Sequence, residues 1–244
     1  MKTKKLLSVV IAIALIWAIF SLSGKFESDA YSAFIYIADI IIILALFAYQ
    51  ISLRISTINT LTQKIDPAKC LKAYSELDGT KYTDDRYIYE ALARILLGDY
   101  ASANELLKKV SNKKQYSIKA ELLNILCHHF NSDSARLKES TTALKNYCSA
   151  AKDKKNDYYI NFSLFMESLN FDEKPDTKIT ENYADNLQKK TFVEAYVASF
   201  LIGEMKYKCE EFEKATELFE HVAKNCPSTI LAEKADAYLK QIKN

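Results

Sequence analysis

Residues 192–227 read FVEAYVASFLIGEMKYKCEEFEKATELFEHVAKNCP, and the fold turns on this stretch. Apolar residues recur every three or four positions on both sides of Cys209. That is the period of a helix burying one face. The pattern predicts two helices, about 191–207 and 211–225, joined by a turn so short that they pack as an antiparallel pair. Pro227 then stops the second helix, because proline has no N–H and its ring clashes with the preceding turn.

Working outward, the same arrangement is expected at about 84–97 and 101–111, around YEALARILLGDYASANELLKKV, with Gly98 as the break. Two less regular pairs lie between: about 116–130 with 134–149, and 155–170 with 178–189. The first helices begin near 84, 116, 155 and 191, a spacing of 32 to 39 residues. STILAEKADAYLKQIK (228–243) is expected to cap the stack with a polar outer face. Upstream, Asp66 is a candidate cap and Pro67 a first helical residue for a short helix over about 67–77.

Composition agrees with helices throughout. The 244 residues include only 4 Gly and 3 Pro, too few for the many turns of a sheet-rich fold. The expected class is all-α.

Residues 203–227 resemble the tetratricopeptide (TPR) repeat family. The residues that carry the resemblance are Gly203, Phe212, Ala215, Phe219 and Pro227, and at the first pair Ala91, Gly98, Tyr100 and Ala103. Two positions depart from the family pattern: Glu210 stands at the turn glycine, and Leu107 at the aromatic. The resemblance covers roughly residues 82–243 and implies a TPR-like α-solenoid of paired antiparallel helices. It implies a groove lined by the first helix of each pair. In that register Asp85, Ile88, Leu92 and Ile95, with Val197, Phe200, Glu204 and Tyr207, face a protein or peptide partner. A globular helical bundle is the alternative architecture.

The N-terminus is apolar. Leu6–Leu22 carries no charge, and at about 1.5 Å per residue it just spans a bilayer core. A second apolar segment runs from about Ala30 to Leu53, after the short link SGKFESD. Lys2, Lys4, Lys5 and Arg54 flank the outer ends, while the link is weakly acidic. The positive-inside rule then predicts a transmembrane helical hairpin with the N-terminus and the C-terminal domain both cytoplasmic. A cleavable signal ending at Ser21-Leu22-Ser23 is the alternative reading of the first segment. It leaves the domain in the same compartment.

The expected organisation is therefore a hairpin over 1–54, a helical stalk and linker over 55–81, and the repeat domain over 82–244. The localisation is the plasma membrane, multi-pass. Asp39 is an acid inside the second segment. Its insertion cost, about 2.5–3.5 kcal/mol, is exceeded by the roughly 4–7 kcal/mol from the surrounding Ile, Leu and Phe. A place nearer the outer interface, partly solvated or bonded to a serine, suits it better than a proton or ion site or a polar contact between helices, since the segment offers no second charge.

Charge and motifs narrow the function classes. Residues 1–54 hold five basic and three acidic residues, leaving 28 of each for the remainder. A balanced domain gives no basic excess for a phosphate backbone, so nucleic acid is not expected as a partner. The five cysteines form no CxxC pair and read as reduced thiols. Cys127-His128-His129 is the one cluster suggesting metal. Adjacent helical residues point about 100° apart, so three in a row do not converge on one ion. No phosphate-binding glycine loop, GxSxG or HExxH is present. The expectation is no enzyme and no cofactor. Two roles remain: a membrane-tethered interaction or scaffold module, and a structural subunit that assembles through its membrane hairpin.

Overall fold

The structure is a computed structural model that describes residues 29–76, 83–111, 113–149, 154–172, 175, 178, 183 and 192–243. Among these residues there are ten helices and no strand. They are α1 (Asp29–Thr62), α2 (Pro67–Ser75), α3 (Asp84–Leu96), α4 (Tyr100–Leu107) and α5 (Lys114–Phe130). Then come α6 (Ser134–Ser149), α7 (Lys154–Phe171), α8 (Phe192–Lys208), α9 (Phe212–Asn225) and α10 (Ile230–Lys243). The expected all-α class is observed. The first apolar segment falls outside the described residues, and so does the helix expected over 178–189 apart from Lys178 and Tyr183.

The chain divides into two compact units, Met1–Thr57 and Ile58–Asn244. In α1, Ile40–Thr62 is long and apolar enough to cross a membrane. Ile40, Ile41, Ile43, Leu44 and Phe47 are all more than half exposed. The side chain of Asp39 lies outside the described set. Thr57 and Thr62 donate their hydroxyls to the carbonyls of Leu53 and Ile58, at 2.9 and 3.0 Å. Polar groups near the end of α1 are thus satisfied within the helix itself.

The second unit takes in the last turn of α1, from Ile58 to Thr62. Ile65 takes a left-handed φ of 50°, and Asp66 then caps α2 by accepting the Lys69 N–H at 2.9 Å. Pro67 sits in the first turn, where its missing N–H costs nothing. Beyond it, α3 packs on α4, α5 on α6, α6 on α7, α8 on α9 and α9 on α10. The last helix also returns to touch α3, so the array closes on itself. Ile230 Cδ1 lies 3.9 Å from the space a Cβ at Gly98 would occupy.

One turn geometry occurs three times. Gly98, Ser132 and Glu210 all take positive φ, at 77°, 57° and 61°. After each, the next N–H reaches back to the carbonyl five residues earlier: Asp99 to Arg94, Asp133 to His128, Glu211 to Lys206. These are helix C-termini closed by one left-handed residue, which satisfies carbonyls the helix leaves bare. Asp99 and Asp133 then cap the following helices by accepting the Ser102 and Arg136 N–H groups. The charge pattern repeats as well. Arg94 pairs with Asp99 at 2.7 Å and Lys206 with Glu211 at 2.8 Å, at the same offset across the turn.

Close approach within the last pair depends on Gly203. A Cβ there would meet Phe219 Cε1 at 2.8 Å. Phe219 is fully buried and stacked on Tyr238, with centroids 4.8 Å apart and rings 5° from parallel. The small residue admits the aromatic, and the aromatic fills the seam between helices.

Candidate interaction groove

A cavity of about 200 Å³ lies on the face shared by α3, α5, α7 and α8. Its apolar wall includes Ile88 and Leu92 from α3, Leu122 and Leu126 from α5, Phe162 from α7 and Val197 from α8. Tyr89, Tyr158, Tyr159 and Tyr183 add ring surface, and Lys119 and Glu194 supply the charges. The helices that line it are the first members of the helix pairs. Their amphipathic spacing buries one edge against the second helices and leaves another edge toward the cavity.

The eight residues expected to face a partner separate into two groups. Ile88, Leu92 and Val197 meet at the cavity. Asp85 sits at its edge, 3.5 Å from Lys119 Nζ and 3.5 Å from the Tyr116 hydroxyl. Ile95 and Phe200 are fully buried. Glu204 and Tyr207 face α10: Glu204 accepts the Tyr238 hydroxyl at 2.9 Å, and the Tyr207 hydroxyl donates to Gln241 at 3.2 Å. Phe200 lies against Phe130, Phe219 and Tyr238. The C-terminal helix thus covers three of the four expected residues of the last pair, Phe200, Glu204 and Tyr207, and leaves Val197 at the cavity.

Tyr183 is one of the lining residues outside the expected set. It is buried and stacked on Phe165, with centroids 4.5 Å apart and rings 28° from parallel. Burial holds its hydroxyl, and that of Tyr158, well above the usual tyrosine range, so both are neutral donors. The cavity wall is therefore apolar with a few neutral hydroxyls, the character of a site that takes an apolar side chain and fixes its orientation.

The Cys127-His128-His129 run diverges, as adjacent helical positions must. Cys127 Sγ lies 3.6 Å from the Tyr100 carbonyl, and burial pushes its thiol up to about 11. Burial lowers the His128 ring, so it is neutral at pH 7. His129 turns to the opposite side, between Asn170 at 2.9 Å and Glu204 at 2.7 Å. Sequence spacing held no sign of this last contact, because Glu204 lies 75 residues away. Cys70 and Cys226 are likewise pushed up to about 12, and none of the five cysteines is in a disulfide. No group of three or more His, Cys, Asp or Glu among the described residues converges on a metal-sized site.

No family model, no curated protein and no solved structure matches this chain.

Proposed function

We propose that the chain is a membrane-tethered interaction module: its apolar N-terminal segments form a multi-pass plasma-membrane anchor, and its TPR-like helix pairs present a groove on the cytoplasmic side to an amphipathic helical segment of a partner protein. The observation that carries this reading is the apolar cavity lined by first helices of successive pairs. Its volume suits one or two aliphatic or aromatic side chains, the anchors of a helix laid in a groove. Lys119 and Glu194 add opposite charges to its lining, which gives such a helix a preferred direction. The thrice-repeated turn supports the repeat reading, and the exposed apolar residues of α1 support the anchor. A tether raises the local concentration of its partner, so a shallow site suffices.

The test is a photo-crosslinking side chain at Leu122 or Leu92 in the full-length chain, in cells. The expected adduct maps to an amphipathic segment of one protein. A synthetic peptide of that segment then binds the purified chain, at least tenfold more weakly after Leu92→Glu. Adducts to lipid alone, or a peptide insensitive to Leu92→Glu, overturn the reading.

A second reading, a structural subunit assembling through its membrane segments, draws on the stripe Ile40, Leu44, Phe47 and Ile51, which lies exposed along α1. It predicts that removal of 58–244 leaves assembly intact in detergent extracts.

A further inference from the structure

His129 and Glu204 have side chains only 10% exposed, and they join α5 to α8. Asn170 donates its Nδ2 to the Met166 carbonyl at 2.7 Å, so its Oδ1 is the atom facing His129 Nδ1. Reversing that amide would set two carbonyl oxygens together. Nδ1 must therefore carry a hydrogen. Glu204 Oε1 accepts the Tyr238 hydroxyl, and Oε2 lies 2.7 Å from His129 Nε2. That short contact holds a second proton, wherever it rests along the bond. Without it, a nitrogen lone pair faces a carboxylate at hydrogen-bonding distance in a buried site, which is repulsive.

The groups around the ring come from every element packed there. Glu204 is on α8, Asn170 on α7, and Tyr238 and Lys234 on α10, with Lys234 Nζ 6.0 Å from the adjoining Phe130 ring. On α5 itself, His128 turns toward Asp133, Arg136 and Glu139. The cluster therefore sits on the seam between α5 and α7 on one side and the C-terminal block α8–α10 on the other. The same seam is crossed by Phe130 against Phe200 and by Lys208 Nζ on the Leu169 carbonyl.

We propose that the proton held between His129 and Glu204 is a latch on this seam, keeping the α8–α10 block docked while it is present and loosening the block when it is lost. Burial by itself lowers the His129 ring, but the facing Glu204 carboxylate and the hydrogen bonds from Glu204 and Asn170 outweigh it and raise the ring above its ordinary 6.5. The sign follows from linkage. A raised folded value means docking is fully supported below about pH 6.5 and its support is lost as pH rises through the folded value. Between those two values the opening constant of the seam rises up to about tenfold per pH unit. Burial holds Tyr238 above the usual tyrosine range and pushes the thiols of Cys70, Cys127 and Cys226 up to about 11–12, so these four groups stay protonated at neutral pH. The cavity straddles the same seam, yet the latch is read from the seam alone and needs no ligand.

The experiment is hydrogen exchange with mass spectrometry on the full-length chain in detergent from pH 6 to 9, with rates corrected for intrinsic base catalysis. Peptides from α8–α10 are expected to lose protection with rising pH by about tenfold per unit over part of the range, while α3–α4 peptides keep theirs. In His129→Gln, which keeps a donor but cannot titrate, the pH dependence disappears. The histidine ring resonances of the unmodified chain give an independent check if that variant folds poorly. A His129 midpoint below 6.5, equal pH dependence in α3–α4 and α8–α10, or dependence that persists in His129→Gln overturns the proposal.

Discussion

The first and last helix pairs solve one packing problem with different residues. Setting Gly98 on Glu210 places Ala91 on Gly203, Ala103 on Ala215, Leu107 on Phe219, and the Arg94–Asp99 pair on Lys206–Glu211. Ala91, Ala103 and Ala215 are fully buried, as a close interhelical contact demands. Where the second helix carries Phe219 the first carries glycine; where it carries Leu107 the first carries alanine. Volume is traded across the seam, the smaller first-helix residue standing opposite the larger second-helix one. The pairs also differ in polarity. Arg86 and Glu90 are buried in α3, 2.8 Å apart, at the register of Ala198 and Ile202 in α8.

That polar difference offers the largest test. Arg86 Nη2 also donates to the Tyr74 carbonyl at 3.0 Å, and its Cζ lies 5.4 Å from the Tyr74 ring centre, which ties α3 to α2. Glu90→Ala leaves a buried guanidinium without its carboxylate and is expected to cost about 3 kcal/mol. The double change Arg86→Ala with Glu90→Ile copies the last pair and should recover most of that loss. Urea unfolding of the full-length chain measures both. A single variant within 1 kcal/mol of the parent chain would show that solvent reaches Arg86.

The volume trade gives the next test. Gly203→Ala gains helix propensity, about 1 kcal/mol, but forces its Cβ against a ring pinned by Tyr238. Overpacking of this kind costs about 1–3 kcal/mol, so a net loss near 1 kcal/mol is expected. Phe219→Leu in the same chain recreates the Ala91–Leu107 solution and should remove the clash. A double-mutant cycle therefore has a favourable coupling energy, and additivity within about 0.5 kcal/mol would break the comparison. Ala91→Gly in the first pair has no matching partner and only loses propensity.

What the sequence disclosed follows from range. Helix limits, the Asp66 cap and the turn at Gly98 are local, set by spacing and by residue types with one conformational use. The all-α class follows from the same signals. The cavity was legible in part: the register implied by the family resemblance named Ile88, Leu92 and Val197 from its lining, because a helix face is a local property. It also assigned Ile95, Phe200, Glu204 and Tyr207 to an open surface. Ile95 and Phe200 are fully buried, and Phe200, Glu204 and Tyr207 meet α10, because no local pattern tells which faces another helix will cover. The His129–Glu204 contact and the stacking of Tyr183 are long-range for the same reason. The left-handed residue in two of the three repeated turns was not legible, although the turns themselves were, because Ser132 and Glu210 do what glycine usually does.

Glu210 supplies the smallest test and the most direct one. A residue with a Cβ at φ 61° is strained by about 1 kcal/mol or somewhat more relative to glycine, which adopts that region freely. Its side chain carries none of the turn's hydrogen bonds, which run through the backbone: Glu210 N–H to the Tyr207 carbonyl, Glu211 N–H to the Lys206 carbonyl. The ion pairs at the turn belong to Glu211, which holds Lys206 at 2.8 Å and Lys214 at 2.6 Å. Glu210→Gly should therefore stabilise the chain, by up to about 1 kcal/mol after the extra entropy of glycine in the unfolded state is subtracted. The opposite change, Gly98→Glu, should destabilise by a similar amount, since it imposes on the first pair the strain the last pair tolerates. If Glu210→Gly destabilises instead, the two turns are not equivalent and the alignment of the pairs through them fails.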